Sequence, residues 1–171
     1  TSSGLVKIDD EGNWTVYNTG NSGIPHNKVK AIAVDNSGHI WIGTYDQGIA
    51  KFDGLDSWTV YNSENSELLD NHIYSIAVDS ENNKWVATSF GLAKFDNSSW
   101  TIYNTYTSFI PDNDIDMVVV DSEDNKWILY NGYFIAKSYG DNWIVYSSYS
   151  NSDLPSGYIN SIAIDEFDNL W

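Results

Sequence analysis

The sequence of 171 residues has no cysteine and no arginine, three prolines and one methionine. Its eight basic residues, all lysine, stand against 24 acidic ones. Without cysteine, disulfides and thiolate chemistry are excluded. Without arginine, and with a net charge of −16, the chain lacks the clustered cations that neutralise phosphate, so neither nucleic acid nor an anionic membrane surface is expected as a partner. Long apolar runs are missing too. Stretches such as Met117–Val120 fall far short of the roughly 20 residues a membrane helix needs, and no membrane insertion by this segment is expected. A helical period is also absent. Thr15–Tyr17, Ile32–Val34 and Thr59–Tyr61 alternate with period two, the signature of half-buried strands.

What the chain does have is aromatic and aliphatic bulk. Hydrophobic residues make up 42% and aromatic residues 15%, enough to offset chain entropy with a packed core. The eight tryptophans fall into two periodic sets. Trp41, Trp85, Trp127 and Trp171 are spaced by 44, 42 and 44 residues, and Trp14, Trp58, Trp100 and Trp143 by 44, 42 and 43. Asp35, Asp79, Asp121 and Asp165 keep step with the first set.

The clearest copy of the unit runs from His72 to Asn104. An apolar strand, Ile73 to Val78, is followed by the polar turn Asp79–Asn83 and a second strand headed by Trp85. Gly91 opens a third strand to Phe95, and Trp100 to Tyr103 makes a fourth. Four short strands joined by tight turns form an antiparallel meander, and a period in the low forties with four strands is the length of a propeller blade. The expected fold is therefore an all-β propeller of four-stranded antiparallel blades in about four repeats of 42–44 residues. Blades are expected at 29–62, 73–104 and 115–146, with half blades at 1–18 and 159–171. The two ends are complementary: the last residues supply strand one and part of strand two, and the first supply strands three and four. One blade is thus split between the termini, which removes free sheet edges when the halves join. With only four periods, joining between chains or to further blades is expected over closure within one chain.

Several recurring positions read as scaffold. The turns after the first strand (Asp35–His39, Asp79–Asn83, Asp121–Asn125, Asp165–Asn169) suit hairpins, because Asn, Asp and Gly accept positive φ. Their alternate oxygens also suggest calcium, but no copy has the distal Glu of a full calcium loop, so no metal and no cofactor are expected. The linkers Asn21–Pro25, Asn65–Leu69, Ser108–Pro111 and Asn151–Pro155 carry an Ile or Leu that plugs the gap between blades. Lys7, Lys51, Lys94 and Lys137 are expected to lay their stems on a neighbouring blade and pair with an acid. His26, His39 and His72 have no evident carboxylate partner or metal-ligand spacing, and no catalytic triad, phosphate loop or nucleophile elbow is present.

Asn21-Ser-Gly-Ile-Pro25, Trp41-Ile-Gly-Thr44, Gly48-Ile-Ala-Lys-Phe-Asp53 and Trp58-Thr-Val-Tyr-Asn62, taken in register, resemble the two-component regulator propeller repeat. The resemblance covers essentially the whole chain. It implies a β-propeller, in this family typically of about seven blades. It also implies a place in the periplasmic sensor region of bacterial hybrid two-component proteins, or in secreted and surface proteins, so an extracytoplasmic bacterial location is expected. There such propellers bind ligands such as oligosaccharides or act as dimeric sensing scaffolds.

Function is expected where the copies disagree. The loops between strands two and three, and those between blades, share one face of a propeller. The first set offers Tyr45, Asp46, Gln47, Ser89, Phe90, Tyr130, Asn131 and Tyr133. The second offers His26, Asn27, His72, Tyr74, Asn113, Asp114 and Tyr158. Aromatics beside amides and carboxylates are what a sugar site uses. The leading expectation is a non-enzymatic module that recognises a protein partner or an oligosaccharide. The alternatives are a structural repeat that self-associates through the split blade and, third, a carbohydrate-active enzyme.

Overall fold

The computed structural model describes residues 3–139, 142–149, 154 and 156–171. Among them are fourteen β-strands and no helix. The first two strands, β1 (Leu5–Ile8) and β2 (Trp14–Tyr17), form a two-stranded sheet. Three four-stranded meanders follow. The first comprises β3 (Val29–Val34), β4 (Ile40–Thr44), β5 (Ile49–Phe52) and β6 (Trp58–Tyr61). The second comprises β7 (Ser75–Val78), β8 (Lys84–Thr88), β9 (Gly91–Phe95) and β10 (Trp100–Tyr103). The third comprises β11 (Ile115–Val120), β12 (Lys126–Tyr130), β13 (Phe134–Tyr139) and β14 (Asn142–Ser147). All pairings are antiparallel and in sequence order. This is the expected all-β propeller architecture, an arc of blades whose first strands lie against one another.

Several strand limits differ by a residue from the sequence reading, as in β8 and β14, and two differ by more. The first strand of the second blade starts at Ser75, because Ile73 instead donates its amide to the Thr44 carbonyl of the blade before. The expected strand from Ile159 shrinks to one bridge, Ile164 to Leu170, with reciprocal backbone bonds between Ala163 and Trp171.

The repeated Asp and Trp are one device. The Trp indole N–H donates to the carboxylate six residues earlier: Trp41 to Asp35 at 2.9 Å, Trp85 to Asp79 at 2.8 Å, Trp127 to Asp121 at 3.1 Å and Trp171 to Asp165 at 2.8 Å. The same carboxylate accepts turn amides, as Asp35 does from Ser37 and His39 and Asp121 from Glu123 and Asn125. The turn reading therefore accounts for these acids. The residue three after each Asp (Gly38, Asn82, Asp124, Asp168) has positive φ, which explains its restriction to Gly, Asn and Asp.

That residue also latches blades together. Asn36 donates its amide to Asn82 Oδ1 at 2.8 Å, Ser80 to Asp124 Oδ1 at 2.9 Å and Ser122 to Asp168 Oδ1 at 2.8 Å. Apolar packing follows the same direction: Ile76 meets Trp41, Val118 meets Trp85, and Ile162 packs with Leu129 and Trp127. The linker plugs Ile24, Leu68 and Ile110 are buried, and Leu154 packs against the last cluster. Asn151, Ser152, Asp153 and Pro155 of the fourth linker lie outside the described residues.

The third-strand lysines correct the expectation. They rest on the tryptophan of their own blade, their register partner: Lys51 over Trp41, Lys94 over Trp85 and Lys137 over Trp127 at 5.9, 5.6 and 4.8 Å. Lys137 also pairs with Asp121 at 3.1 Å. The lysines that reach the neighbouring blade are Lys84, 4.9 Å over Trp41, and Lys126, 4.5 Å over Trp85. Lys84 is fully buried, donating to the Asn82 carbonyl and Asn97 Oδ1, with Asp35 at 3.9 Å.

The tryptophans are not equally buried. Trp41 is 0% exposed, whereas Trp14 and Trp171, in the two half blades, are 70% and 77% exposed. Among the described residues, no strand pairing joins the two half blades. Trp85→Ala should therefore cost about 3–5 kcal/mol by opening a core cavity, while Trp14→Ala should cost under about 0.5 kcal/mol. Urea unfolding of both variants checks this, and equal losses would contradict the burial difference.

The clasp also sets acid stability. Burial alone would raise the Asp121 pKa, but bonds from the Asn125 amide group, the Trp127 indole, the Asn125 backbone and Lys137 hold it down to about 2. A carboxylate depressed in this way adds stability above its unfolded pKa of about 3.9, and that stability is lost as pH falls through the folded value. The melting temperature should drop between about pH 4 and pH 2. Asp121→Asn should be less stable at neutral pH and show a smaller drop across that window. An unchanged slope in thermal melts would remove Asp121 from the effect.

Candidate functional site

The loop face forms because two sets of loops emerge on one side. Backbone bonds stitch them together: Tyr45 N–H to the Lys28 carbonyl at 3.0 Å, Gly48 N–H to Asn71 at 2.9 Å and Ile159 N–H to Gly132 at 2.7 Å. Gly48 and Gly91 open the third strands with φ of 79° and 118°. A Cβ there would sit 2.2 and 2.3 Å from the Tyr61 and Tyr103 carbonyl oxygens. The third blade lacks that glycine. It turns instead through Asn131 and Gly132, both at positive φ, in a loop that carries Tyr133 outward.

Most of the predicted residues gather into two groups. In the first, Lys28 Nζ lies 3.4 Å from the centre of the Tyr45 ring, and His72 meets that ring edge-on at 4.8 Å. His26 Nε2 lies 3.7 Å from Asp46 Oδ1, a buried oxygen with no hydrogen-bond donor, and Gln47 is exposed beside it. In the second, Tyr133 and Tyr158 meet edge-to-face at 5.5 Å, and Asn131 Nδ2 donates to Asp112 Oδ2 at 2.7 Å. Phe90 and Tyr74 are exposed between the groups.

Tyr130 does not belong to the site. It is 6% exposed, packs with Phe134 and Ile115 in the core, and has its phenol pKa raised first by burial and then by Asp112. The longer loop of the third blade moves the outward aromatic to Tyr133. The histidines also differ from expectation, for each has a carboxylate within ion-pair distance: Asp46 for His26, Asp35 for His39 and Asp70 for His72.

Sequence reasoning named Asp114 but missed the acids around it. Asp70, Asp112 and Asp116 surround Asp114, whose pKa is raised by burial and then by Asp116, Asp112 and Asp70. Asp70 accepts from the Ser89 hydroxyl, and Asp116 from the Gly132 amide at 2.8 Å. The Tyr74 phenol is pushed up by burial and by Asp114 and Asp70. The signal was in the linkers, where these acids cluster just before the first strands. Among the described residues, no group of three or more metal-ligating side chains is arranged to hold an ion. The face therefore presents aromatic rings, the Lys28 and Lys30 ammonium groups, 3.4 and 5.8 Å over the Tyr45 ring, and a cluster of carboxylates: groups that stack, hydrogen-bond and attract cations.

Residues 23–46 match the family model of the two-component regulator propeller. No curated protein matches the sequence. Among solved structures, the chain is similar to the extracellular domain assigned to a hybrid two-component system of B. thetaiotaomicron, at 22% identity and a TM-score of 0.83, over 99% of this chain and 24% of that one. It is similar to the extracellular domain assigned to a one-component system of the same organism at 23% identity and a TM-score of 0.75, over 99% and 26%. A streptogramin B lyase matches at 17% identity and a TM-score of 0.73, over 99% and 55%. The chain thus spans about a quarter of the first two structures. The likeness lies in the fold, since a sensor domain and a lyase share it. The chain thus has a β-propeller fold, and one copy of its repeated pattern, residues 23–46, matches the two-component regulator propeller.

Proposed function

We propose that this segment is a non-enzymatic recognition module, extracytoplasmic in a bacterium, which binds its ligand on the loop face. The observation that carries the reading is the gathering of Tyr45, His72, Phe90, Tyr133 and Tyr158, from loops that differ between copies, on one exposed face. None of these rings fills a blade interior, so the scaffold does not require them. The extracellular domains that share the fold agree with the location. An oligosaccharide fits the chemistry, with rings to stack on a sugar face and Asn131, Gln47 and the Asp112–Asp116 carboxylates to take its hydroxyls. The Lys28 ammonium already covers one face of Tyr45, which leaves Phe90 and Tyr133 as the freer platforms.

Tyr133→Ala and Phe90→Ala should leave the fold intact and weaken glycan-array binding by about tenfold or more, the scale of one lost stacking contact. Tyr45→Ala should have a smaller effect. Unchanged binding in all three would place the site elsewhere. Binding of a protein rather than a glycan to the same face, lost with the same variants, would retain the site and exchange the ligand.

A second reading, self-association through the split blade, is favoured by one contrast. Ile32 and Val34 on the first blade are exposed, whereas Ile76 and Val118 at the equivalent of Ile32 are buried under the preceding blade's tryptophan. In a composite blade Trp171 of one copy would supply that cover for the next. Light scattering should then show dimers or larger species that dissociate on deleting residues 1–18. A monomer at all concentrations would remove this reading and leave the loop-face reading untouched.

A further inference from the structure

The third strands end on a residue that faces the fourth-strand tryptophan across the ladder: Ile8 with Trp14, Phe52 with Trp58, Phe95 with Trp100 and Ser138 with Trp143. Only the third blade has a small polar residue there. Phe95 covers the floor of the groove between the first two blades, 5.6 Å from Trp41, 5.2 Å from Tyr61 and 4.9 Å from Trp100, so Trp41 is sealed beneath it and the cavity of about 380 Å³ outside it does not reach that ring. In the next groove Ser138 stands where Phe95 does, and Trp85, 6% exposed with Tyr103 at 5.4 Å, lines a cavity of about 470 Å³. Tyr103 and Trp143 wall it, and the exposed Phe109 stands at its rim. This volume lies within the roughly 300–1,000 Å³ of small-molecule sites.

The charges differ between the two grooves as well. Lys84, in the filled groove, is met by Asp35, the Asn82 carbonyl and Asn97 Oδ1. Its counterpart Lys126 donates to the Asp124 carbonyl at 2.5 Å, and the position aligned with Asn97 is Gly140, which has no side-chain acceptor. Lys94 and Lys126 both line the cavity, 5.6 and 4.5 Å over the Trp85 ring. Ser138 itself accepts the Lys126 amide at 2.7 Å, so its hydroxyl is held at the wall and leaves the space open.

We infer that this groove is a binding site for a small flat aromatic ring carrying a carboxylate. The ring takes the place that Phe95 occupies one blade earlier, and the carboxylate meets Lys94 and Lys126. A neutral ring would bring no counter-charge to the two ammonium groups, and a bare anion would leave the aromatic walls in water. The site lies along the outer groove between the second and third blades and does not rest on the loop-face reading.

The test uses 2-naphthoate and its neutral amide as probes, with the eight tryptophan indole N–H signals read by nuclear magnetic resonance. Millimolar 2-naphthoate should shift the Trp85 and Trp143 signals, and 2-naphthamide should bind at least about tenfold more weakly, the scale of a charge-assisted contact. Ser138→Phe should abolish the shifts while keeping the melting temperature at or above that of the parent. Lys94→Gln, which leaves the walls in place, should reduce the preference for the acid and serves if the phenylalanine variant fails to fold. Absence of shifts, equal binding of acid and amide, shifts that survive Ser138→Phe, or selective binding of glucuronate in place of 2-naphthoate would each overturn the inference.

Discussion

The structure depends on one contact repeated in every unit, the indole N–H of a tryptophan donated to an aspartate six residues earlier. A buried carboxylate is costly unless its oxygens are satisfied, and here the turn amides take one oxygen while the indole takes the other. The same contact fixes the hairpin and the tilt of the largest side chain in the blade. Each clasped ring then becomes a shelf. A lysine from the adjacent strand lies over it, and the first strand of the next blade packs against it. Trp171 shows the order of dependence. Its clasp to Asp165 is formed at 2.8 Å although the ring is largely exposed. The clasp is therefore local, and burial follows only when a neighbouring sheet arrives.

What was legible in the sequence follows from that locality. Trp, Asp and the positive-φ residue of the turn each serve one unit with the same geometry, so they recur at a fixed period and the blades can be read directly. Contacts between units are harder to see. Lys84 and Lys126 reach the preceding blade, but Ile40 and Leu170 occupy the same position in the other copies, so periodicity gave no sign of them. The third-strand lysines recur faithfully and were assigned to the neighbouring blade. Their register partner is the tryptophan beside them, and strand pairing decides where the stem lies.

The loop face was legible in outline for the opposite reason. Scaffold positions repeat, so the positions that vary stand out, and among them Tyr45 meets His72 and Tyr133 meets Tyr158. Tyr130 failed because the third blade replaces the opening glycine with a longer turn. An alignment by count placed a core ring in a loop, while Asn131 and Gly132 took up the positive φ that glycine supplies elsewhere. The carboxylates around Asp114 were passed over because acids are everywhere in a chain of charge −16. Only folding brings Asp70, Asp112, Asp114 and Asp116 together, through linkers that differ in detail but enter their first strands at the same place.

Repeat architecture also explains how variation is tolerated. Each blade touches only its neighbours, so stability is close to a sum of blade and interface terms. A change at one interface is not amplified through a single continuous core. Replacing the strand-end phenylalanine by Ser138 costs the packing that Phe95 contributes one interface earlier, yet the clasp of Trp127 to Asp121 and the latch from Ser122 to Asp168 remain in place beyond it. The same independence leaves the loops free to diverge, since a loop tip such as Tyr133 adds nothing to the stacking below it. Local clasps that hold each blade are thus the reason an interface can open a cavity, and a face can change its side chains, without loss of the fold.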